Sequence, residues 1–547
     1  MTIQDRRAFL QFLGRMGAVA AITPAAMITG CDPVQKVADT TAVENPILKR
    51  LPFKSIEPTN IDELVLTKGL QYDIIARWDD PINQEEKFGF NNDYTAFIPL
   101  EEGQKEEGLL WVNHEYTNPK FVSGYMGKGQ ERTKEQVMKE QETVGGSIIH
   151  IKLIENKWTM VKNSEFNRRI TARTRIPFRW KKGKEFLEGS AVGTLANCSG
   201  GVTPWGTILT CEENYDAFYG DYVHTADGDR IFKESIVGWE KFFKYPPENY
   251  GWVVEVNPLT GEAHKLPALG RCAHECATVS QTKDGRIVVY TGDDANDQCL
   301  YKFVAAKPKS RDLTYGTLYV ANIFKGTWIP LDYKKQPKLQ ENFKSQEEVL
   351  VRLRDAAKLM GGTPLDRPED IDIDPLTGNV FVSLTNNTPK GNHHGTILKI
   401  EEEDGDKGSQ RFKATTFLAG GSNTGFSCPD NMAFDKNGNL WFTSDISGSK
   451  MNKGKYAEFK NNGLFLVPAD GRDAGLVIQV ASAPSDAELT GPSFSPDGRT
   501  LFLSVQHPGE LSKDLNNLTS HWPEGGNRIP RSAVVAITGA DLAKLTS

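Results

Sequence analysis

One short unit recurs along this 547-residue chain and limits what it can fold into. The fullest copy opens with Arg367-Pro368-Glu369-Asp370-Ile371-Asp372-Ile373. It turns at Asp374-Pro375-Leu376-Thr377-Gly378 and returns as the apolar strand 379–384. A polar head, a strand, a glycine turn and a second strand make one hairpin. The turn and second strand reappear at 284–290, 435–444 and 496–504, with degenerate copies at 108–112 and 205–210.

Six such units lead to an all-β chain, a six-bladed β-propeller with inserted loops and short helices. A parallel β-helix would repeat with a shorter and steadier period, and a pair of β-sandwiches is the remaining competitor. Charged, amphipathic stretches at 133–141 and 346–360 are the expected helical insertions. Fifty glycines and 29 prolines suit a turn-rich fold of this kind. The formal net charge of −7 speaks against a general nucleic-acid binder, because phosphate backbones need clustered Lys and Arg.

The N-terminus reads as an address. Arg6-Arg7 begins a twin-arginine pattern, 12–27 is a modest apolar stretch, and Ile28-Thr29-Gly30-Cys31 resembles a lipobox. A plain export signal cut elsewhere is the alternative. The expected organisation is a signal over 1–31, a linker over 32–60 and one catalytic propeller domain over 61–547. The expected location is periplasmic or otherwise extracytoplasmic, with Cys31 as a possible lipid anchor to the inner membrane. With Cys31 set aside, six cysteines allow up to three disulfides in an oxidising compartment. Cys272 and Cys276 are not spaced as a zinc ribbon, and Cys198 could instead be a metal thiolate.

In a propeller the innermost strand of every blade begins at one central channel, so residues at that repeat position converge. Blade by blade they are Cys198, Glu275, Arg367 with Glu369, and Asp430; the last blade offers only Thr490-Gly491-Pro492-Ser493. Carboxylates and a thiol aimed into one channel repel one another unless cations lie between them. Oxygen donors suit calcium, magnesium or ferric iron, and a thiolate adds a preference for a transition metal. A second acidic ring is expected where the second strands end, at Glu115, Glu213 and Asp293. Neighbouring acids there, such as Glu212 and Glu213, point to opposite faces, so one of each pair should face the channel. Asp374, Asp435 and Asp497 read as turn formers. His114 and His274 read as structural.

Several longer motifs then stand together: Asn113-His114-Glu115-Tyr116, Cys198-x-Gly200-Gly201-x-Thr203-Pro204-Trp205-Gly206-Thr207, Thr210-Cys211-Glu212-Glu213, Tyr290-Thr291-Gly292-Asp293-Asp294 and Arg367-Pro368-Glu369-Asp370. In this order they resemble the PhoX-type alkaline phosphatases, over most of the chain from about Gly89 onward. The resemblance implies a six-bladed propeller holding Fe(3+) and Ca(2+) ions around a bridging oxygen, and hydrolysis of small phosphomonoesters. It implies Cys198, Glu275, Glu369 and Asp430 as iron ligands and Arg367 as the catalytic arginine that contacts substrate phosphate. Calcium ligation by Glu115, Glu213 and Asp293 is less closely tied to the motifs. The expected state is a monomer without a nucleic-acid partner. The rival readings are a calcium-dependent propeller hydrolase of lactones or phosphotriesters, and a membrane-tethered binding propeller whose calcium is structural. Neither explains Cys198 and Arg367 together. No Gly-x-Ser-x-Gly elbow is present to supply a serine nucleophile.

Overall fold

The computed structural model describes residues 51–546, apart from 128, 181–186, 188 and 226–228. The twin-arginine pattern and Cys31 lie outside the described residues. Six antiparallel sheets of four or five strands form the six blades. Their innermost strands begin at Asn92, Asn197, Thr278, Pro368, Pro429 and Glu488, which numbers the blades 1 to 6. The ring is closed by the first strands of the described chain. Gln71–Arg77 pairs with Ala533–Thr538 as the outer strand of blade 6, and Val65–Leu66 pairs with Ile478–Ser482 in blade 5.

Why the second strands are apolar throughout follows from their position. A blade is covered on both faces, so both sets of alternating side chains are buried. In Ile287–Gly292 of blade 3, Ile287 and Val289 pack with Leu209 and Val253 of blade 2. Val288 and Tyr290 between them pack with Val380 and Val382 of blade 4. The same alternation makes a core at every blade junction, including the closing one, where Ile75 and Val534 meet Leu110 and Val112.

The expected turn formers sit at the far ends of these hairpins. Asp374 accepts from Leu376 N–H, Asp435 from Asn437 and Asn439 N–H, and Asp497 from Arg499 N–H. The first expected helix spans Lys134–Thr143, with Thr133 and Gln136 in a capping box. The second is two helices, Gln346–Val351 and Leu353–Met360, because Arg352 between them leaves helical backbone angles. The expected linker ends earlier than residue 60. Phe53 is buried among blade 5 and blade 6 residues, and Ile56 N–H donates to Gln479 O, so 51–60 belongs to the folded body. None of the six described cysteines forms a disulfide. No helix of the described residues is long and apolar enough to cross a membrane.

Candidate metal centre

The channel ends of the inner strands share a local distortion. In blade 4, Pro368 pairs with Leu384 and Ile371 with Val382, three steps on the inner strand against two on its neighbour. Blades 1, 2, 5 and 6 have the same one-residue bulge, between Asn92 and Thr95, Asn197 and Gly200, Pro429 and Met432, and Thr490 and Ser493. Blade 3 runs from His274 opposite Asp293 to Thr278 opposite Tyr290, four steps against three. A bulge re-aims the side chains beside it. Four of these strands are also preceded by a non-glycine residue with positive φ: Asn91 (45°), Ala196 (51°), Arg367 (57°) and Cys428 (53°). Such angles are sparsely populated, and they persist here where the chain swings into the channel.

Those distortions deliver Asp93, Cys198, Glu275, Glu369 and Asp430 to one place. Glu115 and Glu213 arrive from the ends of the second strands of blades 1 and 2. They form three linked groups whose donor atoms lie within 4.8 Å of one another: Asp93–Glu115–Cys198, Cys198–Glu213–Glu275 and Glu275–Glu369–Asp430. Cys198 and Glu275 each belong to two groups. Cys198 Sγ lies 3.3 Å from Asp93 Oδ2 and 3.1 Å from Glu275 Oε1.

All of these carboxylates are buried, and the protein does not satisfy them. Glu213 Oε1 and Glu275 Oε2 accept no hydrogen bond, and Glu369 Oε1 has only the Arg367 guanidinium beside it. Burial pushes Asp93 up to about 7 and Asp430 up to about 8. Burial also raises Glu115, Glu213, Glu275 and Glu369 well above the usual carboxylate range, with neighbouring acids adding to it. The Cys198 thiol is raised by burial and then by Asp93. Buried charge is costly unless paired, and a buried ring of acids with unpartnered oxygens is what a bound cation would compensate. The donor set fits: six carboxylates and one thiol make three sites of shared ligands.

One guanidinium reaches this ring. Arg367 donates through Nε and Nη2 to Asp294, at 2.9 and 2.7 Å, and Nη2 lies 2.7 Å from Glu369 Oε1. Its Nη1 faces Asp445 at 3.9 Å, and the side chain is 25% exposed. Asp294 therefore holds one edge of the fork, leaving Nη1 toward the open side.

The structure does not bring Asp293 into the group. Its carboxylate is fully buried and taken by Arg354, at 2.9 Å from Nε and 2.5 Å from Nη2, with Ala273 N–H as a further donor. Adjacent residues on a strand face opposite ways, and in this pair Asp294 is the one turned toward Arg367. At the other pair Glu213 faces the ring while Glu212 is held by Lys265. His114 contacts Ser147, and His274 sits between Thr291 and Gly270 O.

Sequence reasoning missed Asp93, Gln506, Asn431 and Glu488. Gln506 Nε2 donates to both Asp93 and Glu115, at 2.9 and 3.0 Å. Asp93 was within reach. Blade 1 had been aligned on its second strand, 108–112, and aligning its inner strand puts Asp93 one residue in, like Cys198 and Asp430.

Comparison with known proteins agrees with this geometry. The family described as Alkaline phosphatase PhoX matches residues 51–509. Pseudomonas fluorescens PhoX in complex with vanadate, a transition-state analogue, is 31% identical. The alignment covers 90% of this chain and 98% of that one, with a TM-score of 0.81. A protein of unknown function from Dyadobacter fermentans is 10% identical, over 86% of this chain and all of that one, at a TM-score of 0.38. A Xanthomonas campestris gluconolactonase is 12% identical, over 85% and 97%, at 0.30. No curated protein matches.

Proposed function

Because the chain belongs to the PhoX alkaline phosphatase family, we propose that this phosphatase is an exported, metal-dependent phosphomonoesterase. One observation carries the metal dependence: two buried carboxylate oxygens without a donor, on Glu213 and Glu275, inside a ring of acids. We assign iron to Cys198, Glu275, Glu369 and Asp430, and calcium to Glu115 and Glu213, with Asp93 joining Glu115. The Cys198 thiolate suits a transition metal; the calcium assignment of Glu115 and Glu213 rests on the family resemblance, because their groups also include Cys198.

The bound cations would supply an activated oxygen nucleophile near neutral pH and neutralise charge on the transferring phosphoryl group. The chain's own part begins at Arg367. Asp294 fixes the Nε edge of the fork, so the guanidinium presents its remaining N–H groups to the phosphoryl oxygens without searching for an orientation. The vanadate in the relative is an oxyanion, which supports an oxyanionic substrate for this chain. Cys198 and Glu275, each shared between two groups, would offer donor atoms in common to neighbouring cation sites. The carboxylates of the ring are buried, which strengthens the electrostatics within.

Export rests on the twin-arginine pattern, and lipid anchorage on Cys31; both are expectations from sequence. The test of function is Glu369→Gln. It should fold and lose p-nitrophenyl phosphate hydrolysis, by roughly 10³-fold or more if a cation site fails. Retained activity would remove Glu369 from the centre. Elemental analysis of the purified protein checks the metals: iron with calcium supports the assignment, and calcium alone moves it toward a calcium-dependent hydrolase.

A further inference from the structure

The last blade has no acid at the position where the others place theirs in the sequence motif, only Thr490-Gly491. Its role is visible in what it touches. Gly491 N–H donates to Asn431 Oδ1 at 2.6 Å, and the Thr490 hydroxyl lies between Asn431 Oδ1 and Asp93 Oδ1. A backbone N–H can only donate, so the oxygen end of the Asn431 amide must face blade 6. The NH₂ end must then face the channel. There it donates to Glu275 Oε1 at 3.4 Å and to Asp430 Oδ1 at 3.3 Å, one hydrogen to each. Glu275 Oε2 is left with no donor.

We propose that Asn431 is a positioning residue. It occupies one oxygen each of Glu275 and Asp430, holds the two acids in register before a cation arrives, and leaves Glu275 Oε2 to ligate. The amide is neutral but polar, so it eases the approach of two carboxylates from different blades without adding charge. Blade 6 keeps it in place. Gly491 has φ of 58°, and a Cβ there would lie 2.5 Å from Tyr94 Cα and 2.7 Å from Asp93 O, so no other residue fits. Blade 6, whose own acid Glu488 lies against Asp430, thus also orients the acids of its neighbours.

This inference rests on the metal-dependent reading. The test uses the full chain as wild type, Asn431→Asp and Asn431→Leu, stripped with chelator and reloaded with iron and calcium at pH 8. Asn431→Asp keeps the shape and the bonds to blade 6 but turns an oxygen toward Glu275 and Asp430. Its stripped form should melt about 5 °C or more below stripped wild type, with a clearly smaller gap after reloading. Asn431→Leu loses both donors and should release metal to chelator about 10-fold faster or more. If both variants release metal at the wild-type rate and lose equal stability in stripped and loaded forms, Asn431 is only a joint between blades 5 and 6. Should Asn431→Leu fail to fold, Asn431→Asp decides alone. A wild type that takes up no metal would instead overturn the metal reading beneath this one.

Discussion

Glu212 and Glu213 are neighbours at the end of one strand and meet opposite electrostatic settings. Glu212 Oε1 accepts from Lys265 Nζ at 2.6 Å, and Oε2 accepts from Gly251 and Trp252 N–H. Lys265 is fully buried with it and also donates to Asn249 O. Glu402, in the wall between blades 3 and 4, is likewise met by Lys302, Tyr290 and Trp328. Glu213, one residue on, has an oxygen with no donor and faces Glu275 and Cys198. In the blade walls the chain supplies its own cation; in the channel it leaves the charge for something else to balance. Burial of an acid is therefore no guide to function by itself, and the missing partner is.

The largest effect that tests this contrast is on catalysis. Glu275→Gln alters two cation groups at once and should lower phosphatase activity at least as far as Glu369→Gln, roughly 10³-fold, with metal content falling in parallel. Activity near wild type with full metal content would erase the distinction between channel and wall. Next is stability. Lys265→Met strands Glu212 as an uncompensated buried charge and should cost about 3–5 kcal/mol in denaturant unfolding, while the metal content of the folded fraction is unchanged. Glu213→Gln should leave the metal-free protein as stable as wild type or more so.

A third, smaller effect is a pH dependence confined to the metal-free protein. Asp93 and Asp430, raised by burial to about 7 and about 8, keep protons that the unfolded chain gives up near pH 4. The folded state binds more protons in between, so stability falls as pH rises from about 4 to about 8. Cations reverse this by favouring the ionised acids. Melting temperatures at pH 6 and 8 should diverge after chelation and converge when metal is restored. The smallest effect separates the twin acids. Asp294→Asn loosens Arg367 and should lower kcat/KM by about 10-fold, whereas Asp293→Asn should act on stability through Arg354.

Much of this was legible in the sequence because the repeat has a strong local grammar. Turn glycines, alternating strands and apolar second strands gave the propeller, and the repeat position gave Cys198, Glu275, Glu369 and Asp430. Two features were not legible. The swing into the channel uses Asn91, Ala196, Arg367 and Cys428 at positive φ, none of them glycine, so composition carries no mark of it. Asp294 stands one residue past the one paired to the inner strand, as Glu115 and Glu213 do, and that register is visible only in the pairing. Asn431 and Gln506 were invisible for another reason: an amide is recognised as part of a charged centre only when its neighbours across the ring are known.

The closure of the ring has a consequence in time. Strand 71–77 leaves the ribosome long before its partner, 533–538, is made. Asp93 and Glu115, from the first blade, wait on Thr490 and Gln506 of the sixth. The hydrogen bonds that hold Asp93 and Glu115 therefore form only once the sixth blade has been made. Two ends of the chain far apart in sequence thus meet at one blade, and the first blade's acids are positioned by the last.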